Sequence, residues 1–239
     1  MLYIEESTMP MPYYVSPEQM MQDKAEYARK GIAKGRSLVA LEYIDGILLA
    51  AENPSSSLSK ISEIYDAIAF AGVGKYSEFE NLRKSGIRYA DIKGYTYSRA
   101  DVTGKSLANA YSQVIGNIFT KEIKPLEVEI LVVEVGEVPE KNSMYHILFD
   151  GSISDYHGYS VIGGHADVVN TFLREQYQEN LSLNGALVLC RKALEKTTDD
   201  KCIREDHLEI AVLDRGLEGR RFRRVPPSEI TERLESGIK

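Results

Sequence analysis

The sequence predicts an α+β fold in which two antiparallel sheets stack on one another and carry helix pairs on their outer sides. Three observations point there. Apolar periodicity runs along the chain in the order strands, helices, strands, helices, strands. The first strands arrive four in a row, which a β-α-β alternation does not allow. A length of 239 residues also leaves room for a substantial core without disulfides or metals.

A helix stands ahead of the first strand. Ser16 is placed as its N-cap and Pro17 at its first position, with Glu18 and Gln19 in the first turn, where the helix dipole favours acids. Helical spacing continues through "EQMMQDKAEYARKGIAK", so the helix is expected over 17–34, ended by Gly35. Met20, Lys24 and Tyr27 fall on one face and Met21, Ala25, Ala28 and Ile32 on another. That is more apolar surface than one domain core needs, and the surplus is expected to be buried against neighbouring chains. Residues 1–16, "MLYIEESTMPMPYYVS", carry two prolines and no periodicity, and read as a mobile or partner-ordered segment.

After Gly35 the apolar period falls to two. "SLVALEY" and "ILLAA" flank "IDG", and Asp45-Gly46 between apolar runs signals a hairpin. The polar loop "ENPSSS" leads to a second pair, "LSKISEI" and "AIAFAGV", turning at Tyr65 and Asp66. Helices are expected at 74–90 and 104–122, the latter with Leu107, Tyr111, Val114, Ile115 and Ile118 on one face. "KGYTYSRADVTG" between them is turn-rich. Then come "EVEILVVEVG", "MYHILFD" and "YHGYSVIGG" as strands, helices at 165–179 and 182–197, the strands "HLEIAVLD" and "RRFRRVP", and a short helix from Ser228.

Composition narrows the function. Lys and Arg number 29 against 36 Asp and Glu, a net charge of −7, which argues against nucleic acid or anionic membrane as partners. The local basic run "GRRFRRV" alternates around Phe222 and Val225 and reads as a charged edge strand. No stretch approaches the roughly 20 apolar residues of a membrane span, and no signal peptide is recognisable, so a cytoplasmic location is expected. Cys190 and Cys202 have no metal-like spacing and are assigned to core packing in a reducing compartment. His146, His157, His165 and His207 are scattered, so neither metal nor cofactor is expected. "VIGGHADVV" lacks a full GxGxxG and is read as a tight strand-to-helix turn.

The chemistry turns on "GRSLVALEYIDGILLAAE", residues 35–52. The segment has the form of the opening hairpin of a hydrolase that cuts behind a glycine and uses the freed first residue as nucleophile and base. That chemistry needs Thr, Ser or Cys after the glycine, and the residue there is Arg36. Ser37 comes one position late and, with strand alternation, faces the other side. Glu52 closes the second strand and Lys60 opens the third, an acid and an amine of the kind that tune a nucleophile. Alone, Lys60 reads as one more lysine.

"SPEQMMQDKAEYARKGIAKGRSLVAL", "GILLAAENPSSSLSKISEIYD", "GKYSEFENLR", "DVTGKSLANAYSQVIG" and "GSISDYHGYSVIGG" occur in the order seen in proteasome subunits of the α type. From about Met11 to about Pro226 the chain resembles that family, most closely the α subunit of the bacterial, actinobacterial-type 20S proteasome. The resemblance implies a four-layer αββα sandwich of the N-terminal nucleophile hydrolase type with an extra entry helix. It implies a flexible gate segment over 1–16 and a single α-type domain over 17–239, in which helix 17–34 lies across the opening between the sheets. Arg36 then stands where the catalytic β subunits carry threonine, and Glu52 and Lys60 stand at or near their acid and lysine positions, so no catalytic residue is expected.

The implied role is to form seven-membered outer rings, template and cap rings of β subunits, and gate the entry of protein substrates. Lys60, with Arg29 and Gly35, is implied in a pocket between subunits that takes the C-terminal tail of a ring-shaped ATPase or other activator. Pro12, Tyr13, Tyr14 and Val15 are the implied gate. The chain departs from archaeal α subunits in having Lys75 after Gly74 and no Tyr-Asp-Arg cluster in the leader. Met9 or Met11 is an alternative start to Met1. The rival reading is a self-processing amidase or peptidase using Ser37.

Overall fold

The computed structural model describes residues 15–197 and 202–236. The first helix, α1 (Pro17–Ile32), begins as expected. Ser16 is extended, its hydroxyl accepts from the Gln19 amide at 3.1 Å, and Pro17 loses nothing by lacking an N–H in the first turn. The helix ends two residues earlier than the pattern predicts, with Ala33 as cap and Gly35 just beyond.

Two five-stranded antiparallel sheets follow. The first contains β1 (Leu38–Tyr43), β2 (Gly46–Glu52), β8 (Tyr159–Ile162), β9 (Leu208–Asp214) and β10 (Phe222–Val225), ordered β10-β9-β2-β1-β8. The second contains β3 (Ile61–Tyr65), β4 (Ile68–Gly74), β5 (Val128–Glu134), β6 (Ser143–Ile147) and β7 (Ile153–Tyr156), in order of sequence. The remaining helices are α2 (Tyr76–Thr96), α3 (Gly104–Lys121), α4 (Ala166–Gln176), α5 (Leu183–Glu195) and α6 (Pro227–Ser236).

Strand alternation explains the layering. Along β1, Val39, Leu41 and Tyr43 face the core beneath α4, α5 and α6, whereas Leu38 and Ala40 face the other sheet. Across that inter-sheet core stand Ala69, Ala71 and Val73 of β4 and Leu131 and Val133 of β5. Their sequence neighbours Phe70, Ile130 and Val132 pack outward against α2 and α3. The result is the αββα sandwich that the resemblance implies. β1 and β2 are apolar on both faces because both faces are covered.

Several boundaries differ from the sequence reading. "YHGYSVIGG" is not one strand: β7 ends at Tyr156 in one sheet and β8 begins at Tyr159 in the other. Gly158 makes that crossing with φ of +78°, a conformation that L side chains rarely adopt. α2 runs six residues past the predicted end at residue 90, because Ala90 remains buried and Gly94 lets the helix lie against the Tyr65 ring. The third strand begins at Ile61, so Lys60 sits just before it. Val114 is exposed; the buried stripe of α3 runs through Leu107, Ala108, Tyr111 and Ile115 instead. Cys190 is buried as expected, but Cys202 is exposed, with its Sγ 3.1 Å from an Arg191 guanidinium nitrogen, and is no core residue. β10 is the edge strand that its charge pattern indicates. Among the described residues no helix is long and apolar enough to cross a membrane.

Candidate functional site

The site lies where α1 hands over to β1. Ala28 and Ile32 on α1 pack with Phe149 of the β6–β7 turn in a small core of their own, supported by Ala25, Phe119 and Leu148. Lys24 is buried beside it, and its ammonium donates to the Phe119 carbonyl at 3.0 Å, a cation placed on the C-terminal carbonyls of α3. The connection after α1 then touches both sheets. Gly35 lies against Val73 and Gly74 at the end of β4, and its carbonyl accepts from the Gly164 amide, 3.0 Å away, in the turn after β8. Gly163, with φ of +108°, brings that turn within contact of the Ser37 backbone. α1 therefore exits across the same end of the two sheets.

Arg36 follows. Its guanidinium forms an ion pair with Glu52, whose side chain is almost wholly buried while that of Arg36 is half exposed. The Lys60 ammonium donates to the Arg36 carbonyl at 3.0 Å. The Lys60 pKa is lowered to about 8, chiefly by burial; Glu209 works in the opposite direction and Arg36 adds to the lowering. Ala33, Lys34, Gly35, Arg36, Glu52 and His165 contribute to the lining of a cleft of about 210 Å³ at this point.

The structure thus brings Arg36, Glu52, Lys60 and Gly35 into one neighbourhood. It does not bring Arg29 there. Arg29 lies on the exposed side of α1, with its guanidinium 5.5 Å from the centre of the Phe149 ring. Lys75, after Gly74, caps α2 and reaches Glu78 at 3.5 Å. Val15 is 44% exposed, whereas Pro12, Tyr13 and Tyr14 lie outside the described residues. Ser37 is buried, and its hydroxyl has no hydrogen-bond partner.

One residue was not singled out by sequence. Glu209 of β9 accepts from the backbone amides of Lys60 at 2.9 Å and Ile61 at 3.0 Å, from the Asn53 side chain at 2.7 Å and from Arg224 at 3.0 Å. It pins the start of β3, and with it Lys60, to the other sheet. Only its place in the alternating pattern of "HLEIAVLD" could have drawn notice, since acids at such positions are ordinarily solvated.

What the arrangement can do is limited by residue 36. A guanidinium held by a carboxylate is a poor nucleophile and base at any ordinary pH. The acid and the amine are present, but they serve an arginine.

Comparison with known proteins falls on the same residues. The profile of the family described as "Proteasome subunit" matches residues 32–213. Among curated relatives, the proteasome subunit alpha of Thermomonospora curvata is 54% identical over 229 residues, covering 96% of this chain and all of that protein. That of Kineococcus radiotolerans is 54% identical over 224 residues, covering 91% of this chain and 94% of the relative. The same-named protein of Thermobifida fusca is 50% identical over 228 residues, covering 95% and 92%. With the sandwich, the hairpin and the arginine after its glycine already in hand, these matches mean that the chain belongs to the proteasome subunit family, on the side of its α subunits.

Proposed function

We propose that the chain is a non-catalytic α subunit of a 20S proteasome core particle in the cytoplasm. Residues 17–239 are its single α-type domain, and residues 1–16 are a gate segment in which Pro12, Tyr13, Tyr14 and Val15 restrict substrate entry. Seven copies form an outer ring that templates and caps a ring of β subunits, which carry out proteolysis on protein substrates passing through the gate. The observation that carries the non-catalytic reading is Arg36, paired to Glu52 at the position a nucleophile would need. A self-processing hydrolase using Ser37 finds no support, because that hydroxyl is enclosed and lacks a base as partner.

The docking reading centres on Lys60. A partly desolvated ammonium close to the protein surface is a strong anchor for the terminal carboxylate of an activator tail. In the isolated chain it is satisfied by a neutral carbonyl, that of Arg36, so an incoming carboxylate would be its stronger partner. Gly35 and Arg29 are proposed as other walls of this pocket, with Arg29 acting from a neighbouring copy, because within one copy it faces away on α1. The test is Lys60→Ala in the assembled particle. Native mass should be unchanged, while degradation stimulated by a ring-shaped ATPase or other activator should fall at least tenfold. Full stimulation would move the docking site elsewhere.

A further inference from the structure

We propose that Glu129 and His146 are positioning residues for the pocket that Gly35 helps to wall: a pair between the two sheets that holds the Gly163-Gly164 turn, and with it Gly35, only while His146 carries its second proton. This rests on the docking reading above and adds to it a residue pair and a condition.

The contacts start on the inner faces of the second sheet. Glu129 on β5 stands opposite Val73 of β4, and His146 on β6 stands opposite Leu131 of β5; Val73 and Leu131 both face the inter-sheet core. Glu129 and His146 therefore face it too. Their side chains are 14% and 12% exposed, and the imidazole Nε2 lies 3.1 Å from carboxylate Oε1. The other carboxylate oxygen accepts from the Gly163 amide at 2.9 Å. The next amide of that turn, from Gly164, donates to the Gly35 carbonyl at 3.0 Å. One carboxylate thus ties an enclosed imidazole to the connection that carries Gly35.

The proton decides how firm that tie is. Nε2 is close to Glu129 but makes no aligned hydrogen bond, so its hold on the carboxylate is that of one charge on another and needs the imidazolium. The strands packed on His146 bring no substitute cation. β7 offers Ser154 and Tyr156 on the same face, the Tyr156 ring 6.0 Å away, and β8 of the facing sheet offers Ser160 and Ile162. Around the turn itself, Arg36 is paired with Glu52 and His165 is exposed in the cleft. When His146 loses its proton, Glu129 becomes an enclosed carboxylate held by one amide. A charge left without its partner in such a place is costly, so the carboxylate turns toward water and its grip on Gly163 loosens.

The full chain, assembled with its β partner, is compared at about pH 6 and about pH 7.5, a span that brackets an ordinary imidazole and lies below the titration of Lys60 at about 8. Hydrogen exchange, corrected for the intrinsic effect of pH on amides, is read over residues 159–166, and activator-stimulated degradation is divided by basal degradation. In the parent, protection of the Gly163 and Gly164 amides should fall about threefold between the two pH values. His146→Arg, which stays charged, should keep the parent's low-pH protection at both, and His146→Gln should show the parent's high-pH protection at both. Glu129→Gln should abolish the pH dependence as well, which keeps the test open if an arginine does not fit. Stimulation in His146→Arg relative to the parent should rise about threefold over the same span, a ratio in which pH effects on activator and β subunit cancel. Protection in the parent that ignores pH, a slope that survives in His146→Gln, or a slope with no matching change in stimulation overturns the proposal. Lys60→Ala judges the docking reading separately: if it abolishes stimulation while the His146 variants behave as the parent does, only this proposal falls, and if it leaves stimulation intact, the docking reading falls.

Discussion

Lys60 carries the most consequence of any single residue. Its pKa falls from an ordinary 10.5 to about 8 because folding removes it from water, helped by Arg36 and opposed by Glu209. Two effects of opposite sign follow. Between about pH 8 and 10.5 the unfolded chain binds more protons at this residue than the folded one, so its contribution to stability rises with pH in that window. Below it, the buried ammonium is a standing cost. The melting temperature of Lys60→Met minus that of the parent should therefore be largest near pH 7 and shrink toward pH 10; a difference that grows with pH would contradict this. An activator carboxylate, in contrast, needs the cation, so tail binding should weaken about tenfold from pH 7 to pH 9. Lys60→Arg, which stays charged, should flatten that profile. Sequence marked Lys60 only through its family resemblance. What lowers its pKa is burial between β3 and the 33–37 connection, and Glu209 acts on it from 149 residues away along the chain.

At the scale of elements, α1 is the decisive feature, and it was the most legible. Ser16, Pro17 and Glu18 announce its start, and the 3.6-residue spacing of its apolar residues gives its length. Its attachment is small: Ala28, Ile32 and Phe149 form a separate core, with Tyr27 adding a 3.2 Å hydrogen bond to Glu127. Ile32→Ala should cost about 2–4 kcal/mol of local stability. By hydrogen exchange the amides of α1 should then lose protection, while those of β1 and β2 keep theirs; equal loss in both would mean that α1 and the sheets unfold as one unit. Where sequence misjudged elements, the reason lay outside them. α2 continues past its predicted end because Tyr65, on another strand, receives Gly94. The "YHGYSVIGG" run breaks because its two halves pair with different sheets. A local pattern records how much of a side chain is covered and with what period, not which sheet covers it.

For the whole molecule, the sandwich and the missing nucleophile can be separated by experiment. Arg36→Thr restores a hydroxyl at the hairpin, yet α1 still packs beside the second sheet and the connection after it still touches both sheets. The intact mass of that variant should remain that of the full chain, and it should hydrolyse no peptide; a product beginning at residue 36 would show that only the side chain stood between this fold and self-processing. The sequence by itself determined the order of strand and helix groups, the apolar alternation that makes three stacked cores, and the arginine where a hydrolase would need its nucleophile. These are local properties, written in residue type and period. The tertiary structure alone decided that Glu209 anchors Lys60, that Arg36 closes on Glu52, and that Arg29 turns away from them within one copy. Each of these depends on a contact between residues far apart in the chain, and no local period encodes a partner.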